Sequence, residues 1–133
     1  MMFFARILTF LSVTALLSAA LPLVPRANVG EGTWYYPGLG SCGITNTASD
    51  MIVAVSHSLY DSYPGATANP NLNPICNKRL VATHGGKSVT VTVTDKCMGC
   101  AGMYDLDFSP TAFSQLASTS VGRLTGVSWN WVA

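Results

Sequence analysis

The sequence has little charge and almost no imbalance of it, with seven Lys and Arg against six Asp and Glu in 133 residues. Nucleic acids and anionic membranes are held through a basic footprint, so the near-neutral balance argues against both and suits an uncharged partner such as a neutral polysaccharide. There is no G-x-G-x-x-G run and no alternation of strand and helix patterns, so no nucleotide, flavin or other cofactor is expected. No N-x-S/T acceptor occurs, and N-glycosylation is not expected. Internal repeats and low-complexity tracts are absent. One Cys-x-x-Cys, Cys97 and Cys100, has no matching second pair, and His57 and His84 are too scattered to complete a finger, so no metal site is expected. Those histidines read as surface residues, His84 in a turn and His57 on a local helical turn. Ser56 and Ser58 beside His57 match no nucleophile constellation.

Long hydrophobic runs are also scarce, and the one at the N-terminus reads as a targeting segment. Arg6 gives a weakly positive start, Ile7 to Leu17 is apolar, and Ser18-Ala19-Ala20 supplies small residues for cleavage after Ala20. The uninterrupted run is shorter than the ~20 residues that span a bilayer, and Pro22 and Pro25 follow at once. The expected organisation is therefore a signal peptide over 1–20, a flexible lead-in over 21–29 and one domain over 30–133. The mature protein is expected to be secreted, extracellular or at the cell wall, monomeric, and free of the membrane.

All four cysteines, Cys42, Cys76, Cys97 and Cys100, lie in the mature part. An even number in a short secreted chain indicates two disulfides with no free thiol left over, and the pairing stays open among the possible connectivities. Gly and Pro punctuate short apolar runs, an all-β pattern. Thr33-Trp34-Tyr35-Tyr36 is β-prone and closed by Pro37-Gly38. Lys78 to Thr83 reads as a strand, and His84-Gly85-Gly86 as a tight turn. From Ser88 to Asp95, valines 89, 91 and 93 alternate with threonines, placing the two sets on opposite faces. Tyr104 to Phe108 alternates too, with Leu106 and Phe108 inward and Asp105 and Asp107 on the other face. Ser109-Pro110 is a helix start, and Phe113, Leu116 and Ala117 recur at helical spacing. Val127, Trp129 and Trp131 alternate in a last strand. The Tyr63–Pro74 segment, rich in Pro and Asn, is a loop.

The residues best suited to chemistry are Asp95, Asp105 and Asp107, each at the end of an apolar strand. Two carboxylates flanking a sugar bond can divide acid and base roles. Aspartate at such places equally serves to cap turns and helix starts. The aromatics Trp34, Tyr35, Tyr36, Tyr104, Trp129 and Trp131 could stack on sugar rings. Alternation assigns Trp129 and Trp131 to the core, and at least one of Tyr35 and Tyr36 should face solvent.

Val91-Thr92-Val93-Thr94-Asp95-Lys96-Cys97, followed by Asp105-Leu106-Asp107-Phe108-Ser109-Pro110-Thr111-Ala112-Phe113, resembles the V-T-D … D-L-S-P-x-A-F signature of rare-lipoprotein-A-like double-psi β-barrels. That superfamily includes expansins, barwin, family-45 glycoside hydrolases and lytic transglycosylases. Gly32-Thr33-Trp34-Tyr35, Ser41 to Asn46 and Asn73-Pro74-Ile75-Cys76 look like one-domain fungal expansin-like proteins, the loosenins. The resemblance covers about Gly30 to Val132. It implies a mostly β fold, a six-stranded double-psi barrel with one or two short helices, two disulfides and an open groove. It also implies Asp107 as the catalytic or wall-loosening residue, with Asp95, Thr33 and Tyr35 in the same groove; Asp105 and Tyr104 join these as candidate substrate-binding residues. The pairing it suggests is Cys42–Cys76, leaving Cys97–Cys100. The chain reads to Ala133 without the second, aromatic-faced domain of true expansins. The first strand region also lacks the second aspartate of family-45 hydrolases, having Tyr35-Tyr36-Pro37 there.

The leading expectation is a secreted expansin-like protein that binds cell-wall polysaccharide, β-glucan or chitin, and loosens it without hydrolysis. A second is a protease inhibitor or effector that binds protein, with the Tyr63–Pro74 loop as inserting element. A third is a weak glycoside-cleaving enzyme with Asp95 as substitute base.

Overall fold

A computed structural model describes residues 12–16 and 26–133. The expected cleavage point at Ala20, with most of the signal peptide and lead-in, lies outside the described residues. Among the described residues no helix is long and apolar enough to cross a membrane.

Six strands, β1 (Asn28–Trp34), β2 (Ile52–Ser56), β3 (Arg79–His84), β4 (Lys87–Cys97), β5 (Leu106–Phe108) and β6 (Leu124–Trp131), close into a barrel in the order β1-β5-β2-β4-β3-β6. The β1–β5 and β2–β4 pairs are parallel, and the other four pairs are antiparallel. Two short helices, α1 (His57–Ser62) and α2 (Pro110–Ser114), lie outside the barrel wall. The mostly β, six-stranded architecture implied by the resemblance is the one observed.

Closure of the barrel makes a single core from the inward faces of every strand. Val89, Val91 and Val93 of β4 meet Leu106 and Phe108 of β5, Val53 and Val55 of β2, and Val127 and Trp129 of β6, all buried. Phe113, behind the Ser109 cap, packs its ring edge-on to Phe108. Ser109 Oγ accepts from the Ala112 N–H and donates to the Asp50 carbonyl, so one hydroxyl both starts α2 and anchors it to the barrel. Trp131 is only half-buried, its ring meeting Tyr63 edge-on outside the core proper.

Several local readings shift. β1 begins at Asn28, so Asn28 and Val29 are paired strand and not the end of a lead-in. It stops at Trp34, leaving Tyr35 and Tyr36 beyond it. His84 pairs with Lys87 as the last rung of β3, and the hairpin turn is Gly85-Gly86 alone, with φ of 56° and 76°; both central residues need positive φ in this kind of turn. The valine–threonine alternation fails at Thr94, which is buried. Val53 pairs with Val93, but Ala54 pairs with Asp95, so Thr94 is an extra residue on β4. Such a bulge re-aims the side chains that follow it.

Cystines Cys42–Cys76 and Cys97–Cys100 pin the loops at the end of β4, and no cysteine is free. The first draws the segment after β1 onto the Pro-rich loop. There Asn73, buried, donates from Nδ2 to the Tyr60 carbonyl and accepts at Oδ1 from the Ile75 N–H. The Tyr60 hydroxyl donates to the Pro70 carbonyl at 2.6 Å.

Candidate functional site

Four adjacent strands place one residue each in a single row. Thr33 of β1 is in register with Asp107 of β5, Asp107 with Ala54 of β2, and Ala54 with Asp95 of β4. Ala54 contributes only a methyl between the two aspartates, so the row is a floor with a carboxyl on either side. Two strand spacings separate Asp107 from Asp95, about 9.6 Å between backbones. Over this floor opens a trough of about 460 Å³, lined among others by Thr33, Tyr35, Asp95, Asp105 and Asp107.

The three aspartates do different things. Asp95 takes three donors: the Ser41 and Lys96 N–H groups on Oδ1 at 2.9 and 2.8 Å, and the Tyr35 hydroxyl on Oδ2 at 3.0 Å. Asp105 accepts from the Glu31 and Gly102 N–H groups, both at 2.8 Å, and so ties β1 to the turn before β5. Asp107 takes the Thr33 hydroxyl on Oδ1 at 2.9 Å, while its Oδ2 has only the Cys97 sulfur nearby, at 3.9 Å. A cystine sulfur carries no hydrogen, so that contact is not a hydrogen bond. Asp107 is therefore the one aspartate of the three with an oxygen left over for a ligand.

Burial pushes the Asp107 carboxyl above the usual aspartate range, and the Asp95 charge adds to this. The Thr33 hydroxyl and, more weakly, Arg123 pull the other way without reversing it. Burial, followed by the neighbouring Asp95 carboxylate, raises the Tyr35 phenol well above its ordinary value, so it remains a hydrogen-bond donor. The trough thus pairs a fixed phenol donor with a carboxyl that holds its proton to higher pH than an ordinary aspartate.

Two cations border the trough and both are occupied. Lys96 Nζ lies 2.9 Å from Asp61, and Arg123 lies 2.5 Å from Glu31. Cys97, Met98, Gly99 and Cys100 complete the wall.

Tyr104 is the exception among the candidates. It is not in this trough but beside Arg26, Asn28 and Val29, with its ring edge-on to Trp129. Trp129 is wholly buried, while Tyr36 is 75% exposed and touches Trp34 edge-on. The Trp34 indole donates to the Thr119 carbonyl. His57 lies at the start of α1, away from the trough lining. Ser56, read from sequence only as a neighbour of His57, is buried, accepts from the Leu59 N–H as the α1 cap and donates to the Met103 carbonyl. Sequence reasoning missed Ala54, Glu31, Arg123 and the cystine wall. None of these carries a local signal, because pairing between distant strands, and the loops at the ends of those strands, brings them to the trough.

A closed six-stranded barrel with a carboxyl-lined trough over the β1–β5–β2–β4 wall can be set against known proteins. Residues 27–127 match the double-psi β-barrel family described as lytic transglycolase. The chain belongs to this family. Among solved structures, this double-psi β-barrel is similar to a Streptomyces papain inhibitor, with 30% identity and a TM-score of 0.72 over 86% of this chain and 100% of the inhibitor. It is similar to a mutant Clavibacter michiganensis expansin in complex with cellohexaose, with 27% identity and a TM-score of 0.64 over 80% of this chain and 50% of the expansin. It is also 36% identical over 107 residues to "Allergen Asp f 7" of Aspergillus fumigatus, covering 76% of this chain and 35% of that protein. The barrel thus spans about a third of the length of that curated relative. The fungal elicitor cerato-platanin, 17% identical with a TM-score of 0.53, shares the fold.

Proposed function

We propose that this protein is secreted, binds cell-wall polysaccharide in the trough and weakens contacts between chains without hydrolysing them. The observation that supports this reading most is the division of labour among the aspartates. Asp107 keeps a free oxygen and holds its proton to higher pH than an ordinary aspartate, so that oxygen can donate to a sugar hydroxyl when protonated and accept from one when ionised. Asp95, the carboxylate across the Ala54 floor, is committed to three donors of the protein itself. Glycoside hydrolysis in most families uses an acid and a second carboxylate free to act as base or nucleophile, and Asp95 is poorly placed to serve. The similarity to an expansin bound to cellohexaose favours a β-glucan as ligand. Affinity should be modest, since a polar trough exchanges water for sugar hydroxyls at little net gain.

The test is a pull-down on cellulose, chitin and peptidoglycan with release of reducing sugars measured in parallel. Wild type should be retained by at least one polymer without releasing sugar. Asp107→Asn should weaken retention, because with its amide oxygen taken by the Thr33 hydroxyl the side chain offers only N–H donors at the open position and cannot accept there, and Ala54→Val should do so by filling the floor. Retention by none of the polymers refutes the reading, and sugar release abolished by Asp107→Asn replaces it with a glycoside-cleaving enzyme.

A second reading rests on the papain inhibitor, whose whole length this barrel matches at 30% identity. Here the Tyr63–Pro74 loop, held by Asn73 and Tyr60, would be the contact element. Inhibition of a papain-like protease that survives Asp107→Asn would favour it.

A further inference from the structure

The Cys97–Cys100 bridge encloses only Met98 and Gly99, and all four residues line the trough. Met98 is 70% exposed at the tip of this loop. Behind it, Cys97 Sγ faces Asp107 Oδ2 at 3.9 Å, while Thr33 holds the other oxygen. Among the described residues no donor reaches Oδ2. In its oxidised form the wall therefore presents Asp107 with a polarisable atom that has no hydrogen to give.

We propose that the Cys97–Cys100 couple sets the working state of Asp107, because opening the bridge puts a thiol hydrogen on Cys97 against the unpartnered Oδ2. The step is an exchange with a dithiol. Two electrons and two protons pass to the bridge, its S–S bond breaks to give two thiols, and the dithiol closes to its own disulfide. The Cys97 thiol then donates, weakly, to the Asp107 carboxylate and favours the ionised form. The pH at which Asp107 changes from donor to acceptor falls, and the hydrogen-bonding character of the trough changes with it over that range.

The other charged and titratable groups around Asp107 do not change in this step. They are Glu31 from β1 and Tyr35 just after it, Asp95 and Lys96 from β4, Asp105 before β5 and Arg123 before β6. Lys96 and Arg123 stay paired with Asp61 and Glu31 at the trough margins. A change in Asp107 titration on opening the bridge is therefore assignable to the sulfur or to the freedom of the loop, and these two causes can be separated.

The experiment follows the Asp107 side-chain carboxyl by carbon NMR through a pH titration, with no polysaccharide present. Its result is thus independent of whether the trough binds glucan. Four forms of the mature protein are compared: oxidised; reduced at Cys97–Cys100 with Cys42–Cys76 shown intact by mass; Cys97→Ala with Cys100→Ala; and Cys100→Ala alone. The reduced protein and the Cys100→Ala variant, both with a Cys97 thiol, should titrate at lower pH than the oxidised protein. The double alanine variant, with the loop free but no hydrogen at position 97, should show no such fall. The proposal is overturned if the Cys100→Ala variant titrates with the oxidised protein, or if the double variant falls as far as the reduced one. If the double variant does not fold, the reduced protein S-methylated at Cys97 and Cys100, again with the loop free and no hydrogen on the sulfur, takes its place, and a fall equal to that of the reduced protein overturns the proposal.

Discussion

Removing each cystine in turn should cost unequal amounts of stability. Cys42 and Cys76 are 34 residues apart in sequence, and Cys97 and Cys100 only three. A cross-link acts chiefly by restricting the unfolded chain, and the chain-entropy relation gives about 4 kcal/mol for the longer loop and about 2 kcal/mol for the shorter. Local contacts do not upset this order. The Tyr60 hydroxyl lies near both sulfurs of the longer bridge but keeps its own acceptor, the Pro70 carbonyl, so alanine at 42 and 76 leaves no orphaned polar group. Urea unfolding of the two double-alanine variants measures the difference. At a slope of about 2 kcal/mol per molar, the midpoint should fall by about 2 M for Cys42→Ala with Cys76→Ala and about 1 M for the other pair. The first variant should also show a steeper slope, since its unfolded chain expands more. Equal losses, or a larger loss for the short loop, would refute the entropic argument and mean that native-state contacts of the Cys97–Cys100 wall dominate.

Asp107→Asn should change the pH dependence of stability as well as binding. Because the folded carboxyl titrates above its unfolded value, the wild type has its full Asp107 contribution below the ordinary aspartate range and loses it as pH rises through the raised value. Asparagine cannot lose a proton, so the thermal midpoint of the variant should gain on wild type between pH 3 and pH 7; parallel profiles would contradict the assigned shift. Gly30→Ala tests the β1–β5 seam. A β-carbon there would meet the Tyr104 carbonyl oxygen at under van der Waals distance, and backbone cannot swing aside as a side chain can. A loss of about 3 kcal/mol or failure to fold is expected, and a wild-type unfolding curve would show the strands more loosely joined than described.

The strands with strict alternation were legible in the sequence because period two states burial directly. Val89, Val91 and Val93, Leu106 with Phe108, and Val127 with Trp129 all point into the core, and Ser109-Pro110 starts α2 where the hydroxyl and ring predict. Aromatic-rich Tyr35-Tyr36 did not continue β1, because β-propensity does not see where a partner strand ends. Thr94 broke its pattern because a bulge depends on the neighbouring strand's register, which no local window contains.

For the trough, the sequence by itself determined which residue types were present: aspartates at the ends of apolar strands, Thr33 and Tyr35 beside them, and four cysteines in even number. It did not determine their roles, since a capping aspartate and a ligand-facing one look alike along the chain. Register across β1, β5, β2 and β4 decided that Thr33, Asp107, Ala54 and Asp95 share one row. Hydrogen bonding then decided that Asp95 and Asp105 are occupied while Asp107 keeps an open oxygen. Tyr104, next in sequence to Asp105, lies beside Arg26, Asn28 and Val29 instead. Barrel closure sets neighbours by pairing between distant segments, and that information arises only when the strands meet.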